Sequence, residues 1–230
     1  MDTVILAGGR GSRLSQIVPE FYKPLVKVNG KALVAQAAEH ALATTDGNIV
    51  VVAAPQNAQA LDAALPSDRR IQIVVQRSPN GPGSALLLGL EAVRSEFAMV
   101  LLADNLMTRG DVTSVANIGQ YRDACAVAVR DVDAEEAMRF TRVLPDGTTR
   151  EAEPLREDEL QNGKICVWVG PLVVDTRKGI DVLSAAGEAG GEYKIGPWIP
   201  AIAPNFGVVS VSSCWDVGVP DAFDQVGATL

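Results

Sequence analysis

The sequence predicts an α/β domain in which helices cover both faces of a mostly parallel sheet. Two features of the first half support this fold class. The predicted strands are continuous β-branched or aliphatic runs, which is typical of strands buried on both faces. Segments with helical spacing separate them, as parallel connections require. The 230 residues contain neither a low-complexity linker nor an internal repeat, which favours one domain over residues 1–230.

The predicted elements of the first half alternate regularly. Thr3–Ala7 is a short apolar run that glycines end, and Ala32–Ala43 is Ala-rich with helical spacing. Further strands are predicted at 48–54, 71–76 and 97–103, and further helices at 56–65 and 84–93.

The second half is less regular. Strands are predicted at 124–130, at 139–144 before the turn Pro145-Asp146-Gly147, and at 206–211. Helices are predicted at 111–121 and 176–186, and 165–174 is an apolar run. The charged segment 151–163 contains Pro154 and is predicted to be a solvated loop.

Composition excludes several classes of protein. The net charge is -8, so binding to nucleic acid or to an anionic membrane surface is not expected. Apolar runs are too short for a transmembrane helix. Cys125, Cys166 and Cys214 are widely spaced and predict reduced cysteines in a cytoplasmic protein rather than disulfides or a zinc site. His40 is the one histidine, and a structural or surface role is expected for it.

A glycine-rich segment directly follows the first predicted strand and reads Leu6-Ala7-Gly8-Gly9-Arg10-Gly11-Ser12-Arg13-Leu14. Glycines allow close approach of the backbone to a ligand, and successive N–H groups form an anion cradle. Residues 1–31 hold five basic and two acidic side chains, a local charge of +3 (5 − 2) in an acidic chain. Polyphosphate is the ligand that this arrangement favours, although a tight turn without a ligand is the alternative.

Two familiar phosphate loops do not fit this segment. A P-loop requires Gly-Lys-Ser/Thr, whereas Lys31 and Lys164 are followed by alanine and isoleucine. A dinucleotide-binding fingerprint requires glycine where Leu14 stands, and an acidic residue at the end of the second strand.

The sequence resembles the sugar-1-phosphate nucleotidyltransferases that make NDP-sugars, such as glucose-1-phosphate thymidylyltransferases and mannose-1-phosphate guanylyltransferases. The matching segments are LAGGRGSRL at 6–14, KPLV at 23–26, VNGK at 28–31, QRSPNG at 76–81, ADN at 103–105 and WDVGVP at 215–220. They occur in the family's order and cover nearly the whole chain. The resemblance implies a Rossmann-like mixed, mostly parallel sheet.

The resemblance also implies nucleotidyl transfer, in which an acceptor phosphate attacks the α-phosphorus of an NTP and pyrophosphate leaves. The nucleotide would lie against Leu6, Ala7, Gly8, Gly9 and Gly11. Arg10 would reach the β- and γ-phosphates. Arg13 would stabilise the leaving pyrophosphate, and Lys23 would bridge the α-phosphate and the attacking oxygen. Such catalysis depends mainly on positioning and on charge neutralisation. A protein with a single histidine could therefore perform it.

Two carboxylates match the family's metal positions. Asp104 follows the buried strand at 97–103, and Asp216 lies in a Gly/Pro-containing segment. Each alone could be a cap or a turn residue. Together beside a triphosphate they would hold Mg²⁺, which prefers oxygen ligands.

Base recognition is expected from Gln76 and Gly81, with Ser84 as a further contact or only a helix cap. A carboxamide offers a donor and an acceptor to a base edge. A polar strand end exposed to solvent is the alternative for Gln76.

The acceptor half departs from the family pattern, because Glu153 stands where Glu-Lys-Pro would supply a lysine. We expect Glu153 to face solvent and Lys164 or Lys194 to supply the charge, with Gly170 at the sugar. The leading acceptor is a sugar 1-phosphate. A phosphonate or phosphocholine-type acceptor of a small cytidylyltransferase, or a nucleotide-sensing module without turnover, is the alternative. The sequence is compatible with an oligomer but contains no feature that indicates one.

Overall fold

The computed structural model describes residues 1–9, 22–78, 80–151, 154–188, 194–212, 214–216 and 228–229. The helices of these residues are α1 (Leu33–Thr44), α2 (Ala58–Ala64), α3 (Pro82–Ala92), α4 (Arg109–Arg122), α5 (Ala134–Ala137), α6 (Thr176–Glu188) and α7 (Ile199–Ile202). The strands are β1 (Asp2–Leu6), β2 (Lys27–Val28), β3 (Lys31–Ala32), β4 (Ile49–Ala53), β5 (Ile71–Val75), β6 (Phe97–Leu102), β7 (Asn105–Met107), β8 (Ala126–Val132), β9 (Arg142–Val143), β10 (Thr149–Arg150), β11 (Ile165–Asp175), β12 (Gly207–Ser210), β13 (Cys214–Asp216) and β14 (Ala228–Thr229).

Nine strands of the described residues form one mixed sheet, as the predicted fold class requires. Strands β5, β4, β1 and β6 are neighbours and run parallel. Strand β11 pairs antiparallel with both β6 and β8, and β12 pairs parallel with β8. The hairpin β9–β10 joins β11 near its amino end, through the pair Val167 and Arg142.

The order of the parallel strands creates a switch point between β1 and β6. From β1 the chain proceeds outward through β4 to β5, then returns to the other side of β1 as β6. In open α/β sheets, ligands bind outside the carboxyl ends of the strands at such a point. The glycine-rich segment follows β1, and Asp104 follows β6.

Helices cover both faces of the sheet because the strands are apolar on both sides. Ile5 packs in the core beneath α1 and α4, together with Ala38 and Val115. The adjacent Val4 points to the opposite core, where it lies with Leu86 of α3 and Leu183 of α6. None of the described helices is both long and apolar enough to cross a bilayer.

Most described residues of the segment predicted as a solvated loop at 151–163 are exposed, but Glu159 is buried. Glu159 belongs to the 3₁₀ turn Glu157–Glu159 and is only 3% exposed. The Glu159 carboxylate lies 3.2 Å from Arg142 Nε and 3.0 Å from Arg150, both on the hairpin β9–β10. A charge is buried here because it is paired. The prediction was wrong for this residue because the partners come from other elements.

The strand predicted at 139–144 is much shorter in the structure. Helix α5 and a following turn take the chain as far as Phe140, and only Arg142–Val143 is a strand. The predicted turn is present: Gly147 donates its backbone N–H to Leu144 at 2.9 Å.

All three cysteines are free, as expected. Burial raises the pKa of the Cys125 and Cys166 thiols to about 11 in each case, so these two remain protonated at neutral pH.

Candidate functional site

The residues that follow β1, β4, β5 and β6 lie level with one another at the carboxyl edge of the sheet. The N–H of Ala7 donates to Val52 O at 2.8 Å, and that of Gln76 donates to Ala53 O at 2.8 Å. On the other side of β1, the N–H of Ala103 donates to Leu6 O at 3.1 Å. The start of the glycine-rich segment therefore lies between Gln76 and Asp104.

Asn57 fixes the start of the glycine-rich segment. Its side chain is fully buried, donates from Nδ2 to Ala7 O at 3.0 Å and accepts from Ala54 N at 2.9 Å. The end of β1 is thereby tied to the end of β4. Sequence reasoning missed this residue, because an asparagine before a helix is typical of an ordinary N-cap.

Gly8 and Gln76, two of the predicted nucleotide-binding residues, lie close together. A Cβ atom on Gly8 would lie 3.6 Å from Oε1 of Gln76, so the backbone passes close beside this carboxamide. Gln76 is only 7% exposed and donates from Nε2 to the hydroxyl of Ser84 at 2.6 Å. The alternative of a solvent-facing strand end is therefore wrong for Gln76.

Gly81 caps α3 and belongs to the same group. Its φ of 91° lies in a region that side chains other than glycine rarely adopt. Its carbonyl accepts a hydrogen bond from the Ser84 hydroxyl at 3.1 Å. The predicted base-recognition residues thus form one connected cluster.

Lys23 and Asp104 face each other across the switch point. Lys23 begins a 3₁₀ turn in which the buried Pro24 fixes the backbone. Its Nζ lies 3.6 Å from Oδ2 of Asp104, and the two side chains are 16% and 36% exposed. A cation and a carboxylate are therefore adjacent and accessible at the edge where ligands collect.

Asp216 reaches the same place through backbone pairing. Strand β13 pairs antiparallel with β7, and the register sets Asp216 opposite Asn105, the residue after Asp104. The thiol of Cys214 contacts Val169 O at 2.9 Å and attaches β13 to β11. The two predicted metal-binding positions are therefore neighbours in the fold.

Gly170 lies against the residue that follows Asp104. Its φ is +128°, and a Cβ atom there would come within 2.7 Å of Nδ2 of Asn105. The same Asn105 amide donates to Val169 O at 3.2 Å. A side chain at position 170 would disrupt this contact, so glycine is needed next to the candidate metal site.

The two lysines predicted for the acceptor are in different surroundings. Lys194 lies 3.0 Å from Glu151, whose other oxygen accepts from Thr141 at 2.6 Å. Lys164 forms an exposed ion pair with Asp133 at 2.5 Å. Each lysine therefore has a carboxylate partner, and neither ion pair includes Asp104.

The group around Lys194 connects to the candidate metal site through β11. Thr141 O accepts from the N–H of Trp168 at 2.8 Å, and the Trp168 indole donates to Gly170 O at 3.0 Å. A strand rises about 3.3 Å per residue, so Lys164 lies about 20 Å along the chain from Gly170. Hydrogen bonds thus connect the ion pair of Lys194 to Gly170.

Two charged residues near the amino end of the chain have partners away from the site. Asp2 is buried at the opposite, amino edge of the sheet, where its carboxylate accepts from the N–H groups of Asn48, Arg94 and Ser95. Burial alone would raise the pKa of Asp2, but these hydrogen bonds lower it below the ordinary value. Lys31 pairs with Glu39 at 2.7 Å on the surface.

Arg10, Gly11, Arg13 and Glu153 lie outside the described residues. Of the predicted site residues that the structure describes, Leu6 to Gly9, Lys23, Gln76, Gly81, Ser84, Asp104, Gly170 and the backbone of Asp216 are at the carboxyl edge of the sheet or beside it. Within the described part of the chain, His, Cys, Asp and Glu side chains do not form a group of three or more that could hold a metal ion.

Comparison with known proteins identifies a matching domain family and several curated relatives. The MobA-like NTP transferase domain matches residues 3–191. The bifunctional protein GlmU of Burkholderia mallei is 28% identical over 217 residues, which cover 84% of this chain and 46% of GlmU. GlmU of Streptomyces avermitilis is 27% identical over 149 residues, which cover 64% of this chain and 30% of that GlmU. The chain thus spans less than half the length of these curated relatives.

Solved structures show the same fold at low sequence identity. A UDP-glucose pyrophosphorylase complexed with UDP-glucose superposes with a TM-score of 0.79 at 16% identity, over 98% of this chain and 96% of the other. HddC from Yersinia pseudotuberculosis, complexed with GMP-PN, superposes with a TM-score of 0.70 at 16% identity, over 98% of this chain and 97% of HddC. With most of its length matched by one domain family, the chain belongs to the MobA-like NTP transferase domains.

Proposed function

We propose that this protein transfers a nucleoside monophosphate from an NTP to a small phosphorylated acceptor, with a sugar 1-phosphate as the leading candidate. The observation that carries the proposal is the ion pair of Lys23 and Asp104 beside the glycine-rich segment at the switch point. An acceptor phosphate oxygen forms the new bond to the α-phosphorus. The bond between the α-phosphorus and the bridging oxygen breaks, and pyrophosphate leaves with the electron pair.

Lys23 is the described residue best suited to the reacting phosphates. Its ammonium group is partly buried, and Pro24 restricts the backbone that carries it. A preorganised charge in such a place stabilises the charge that develops on the α-phosphate oxygens without reorganisation. Proton transfer is not required, because the acceptor phosphate is already an anion.

Magnesium is the metal ion proposed for this edge. Asp104 is accessible there, and the register of β13 with β7 makes Asp216 its neighbour in the fold. Both residue types would supply the hard oxygen ligands that Mg²⁺ prefers beside phosphate oxygens. Mg²⁺ bound to Asp104 and Asp216 would neutralise negative charge on the triphosphate.

The cluster of Gln76, Gly81 and Ser84 would receive the nucleobase. Gln76 is buried, lies beside Gly8 and offers donor and acceptor groups. A buried polar group that a correct base satisfies and a wrong base leaves unpaired produces discrimination.

For the acceptor, the connections through β11 favour Lys194 over Lys164. Lys194 pairs with Glu151, and the hydrogen bonds of Thr141 and Trp168 lead from there to Gly170 beside the candidate metal site. Sugar 1-phosphate leads because UDP-glucose pyrophosphorylase shares the fold, and because the curated relatives are GlmU proteins.

An assay of acceptor-dependent pyrophosphate release tests this function. Each common NTP is incubated with Mg²⁺ and with a hexose 1-phosphate, an N-acetylhexosamine 1-phosphate, phosphocholine or a 2-aminoalkyl phosphonate. We expect pyrophosphate release that requires both an NTP and an acceptor and that Asp104→Asn strongly decreases. If pyrophosphate is released only with phosphocholine or only with the phosphonate, that compound would be the acceptor in place of a sugar 1-phosphate. NTP binding without release under any combination would contradict the proposed transfer.

A further inference from the structure

Gln76, Ser84 and Gly81 form a hydrogen-bond chain with a fixed direction. Gln76 Nε2 lies 2.6 Å from Ser84 Oγ, and Ser84 Oγ lies 3.1 Å from the carbonyl oxygen of Gly81. A carbonyl can only accept, so the single hydroxyl proton of Ser84 is donated to Gly81. The hydroxyl must then accept from Gln76, and only the Nε2 group can donate to it.

This direction decides which end of the Gln76 carboxamide faces the nucleotide. With Nε2 held at Ser84, Oε1 points toward Gly8, whose hypothetical Cβ atom would lie 3.6 Å from it. The reverse orientation would turn the Ser84 proton toward Oε1 and remove its hydrogen bond to Gly81. Gln76 is nearly completely buried, so water cannot easily replace the lost partner.

A carboxamide that could turn freely would not discriminate well between keto and amino bases. Uracil and guanine present a carbonyl beside a ring N–H, whereas cytosine and adenine present an amino group beside a ring nitrogen acceptor. Glutamine can pair with either pattern by exchanging the positions of its oxygen and nitrogen. Discrimination therefore requires a neighbour that fixes the orientation.

We propose that Ser84 is a positioning residue that sets base preference by holding the Gln76 carboxamide in one orientation. This inference rests on the proposed function and concerns how that site distinguishes keto from amino bases. Ser84 acts from the first turn of α3 and is half-buried, so its substitution changes the orientation of Gln76 with little change in the core.

The test compares matched nucleotides that differ by one keto-to-amino exchange: UTP against CTP, and GTP against ATP. Dissociation constants are measured by calorimetry with Mg²⁺, and kcat/KM by pyrophosphate release with whichever acceptor supports release in the assay of the proposed function. The wild type is expected to favour one member of the pair that it uses. In Ser84→Ala that ratio should fall about fivefold, the factor that one neutral hydrogen bond is worth.

Two variants separate positioning from structure. Ser84→Thr keeps the hydroxyl and should keep most of the ratio. Ser114→Ala removes a comparable hydroxyl, which donates to Gly110 O at 2.9 Å in α4, and should leave the ratio unchanged. Equal melting temperatures would exclude a general loss of stability.

The outcomes are distinguishable. If the wild type turns over an NTP but Ser84→Ala keeps the full ratio, the positioning role is wrong and the proposed function stands. If the wild type does not discriminate within either pair, the inference is also wrong. If the wild type neither binds nor uses an NTP, the proposed function fails and the inference fails with it.

Discussion

Lys23 Nζ lies 3.6 Å from a carboxylate oxygen of Asp104 at the point where the strand order reverses. Lys23 belongs to the turn after the glycine-rich segment, and Asp104 follows β6. The contact therefore brings together two segments that are distant in sequence. A bound triphosphate would place its own negative charge beside Lys23, and the Asp104 carboxylate would then be available to a metal ion.

Lys23→Ala should lower kcat more than it raises KM for the NTP, because the lysine would act mainly on the charge that develops during transfer. Steady-state pyrophosphate release measures both constants. Lys31→Ala is the control, since Lys31 is a surface lysine paired with Glu39 and should leave both constants near the wild-type values. An increase in KM with unchanged kcat would limit Lys23 to ground-state binding.

Asp104→Asn and Asp216→Asn should each lower kcat by about 100-fold or more, because a metal ion supplies several kcal/mol of charge stabilisation. Circular dichroism should be unchanged. Activity is measured against Mg²⁺ concentration, with Asp46→Asn as the control, because Asp46 is exposed and precedes the amino end of β4. Near-normal activity of either variant at ordinary Mg²⁺ concentrations would remove that residue from the metal site.

Lys194→Ala should raise KM for the acceptor about tenfold, because charge-assisted hydrogen bonds are worth about 1.5–3 kcal/mol. Lys164→Ala should have a clearly smaller effect, since Lys164 precedes β11 and forms an exposed ion pair with Asp133. Both variants are assayed with saturating NTP. A larger effect for Lys164 would reverse the assignment, and wild-type constants in both variants would contradict a lysine at the acceptor.

The single histidine provides a direct test of the packing beside β7. Burial lowers the pKa of His40, and the nearby Arg109 lowers it further. The buried Nδ1 has no hydrogen-bond partner among the described residues. A titration of the imidazole proton resonance should therefore give a pKa below the ordinary value of about 6.5.

A lowered histidine pKa also fixes the sign of the pH dependence of stability. The unfolded chain takes up the proton first as the pH falls below about 6.5, so the free energy of unfolding should decrease between pH 7 and pH 5. His40→Gln should decrease less over this range. A histidine pKa at or above 6.5, or an identical slope in the variant, would contradict the burial of the neutral imidazole.

The sequence predicts those parts of the site that have local signals. Glycines after a buried strand predict the turn that follows β1, and an acid after the strand at 97–103 predicts Asp104. Gln76 at a strand end is likewise where the structure has it. These positions follow from strand periodicity, because the carboxyl ends of parallel strands meet at one edge of the sheet.

The parts that sequence reasoning missed depend on distant partners. Asn57 ties the glycine-rich segment to β4 through a contact fifty residues along the chain. Glu159 is buried because Arg142 and Arg150 meet it from another hairpin. The proximity of Asp216 to Asp104 comes from the pairing of two three-residue strands, which have almost no periodicity to detect.

Nucleotidyl transfer is tested most directly by following a radioactive phosphorus label from the NTP into the products. The NTP that supports pyrophosphate release is supplied in two forms, labelled at the α- or the γ-phosphorus, with Mg²⁺ and the acceptor. We expect α-label in the acceptor product and γ-label in pyrophosphate, in equal amounts, and we expect Asp104→Asn to form both products about 100-fold or more slowly. Transfer of γ-label to the acceptor, or its release as orthophosphate, would contradict attack at the α-phosphorus.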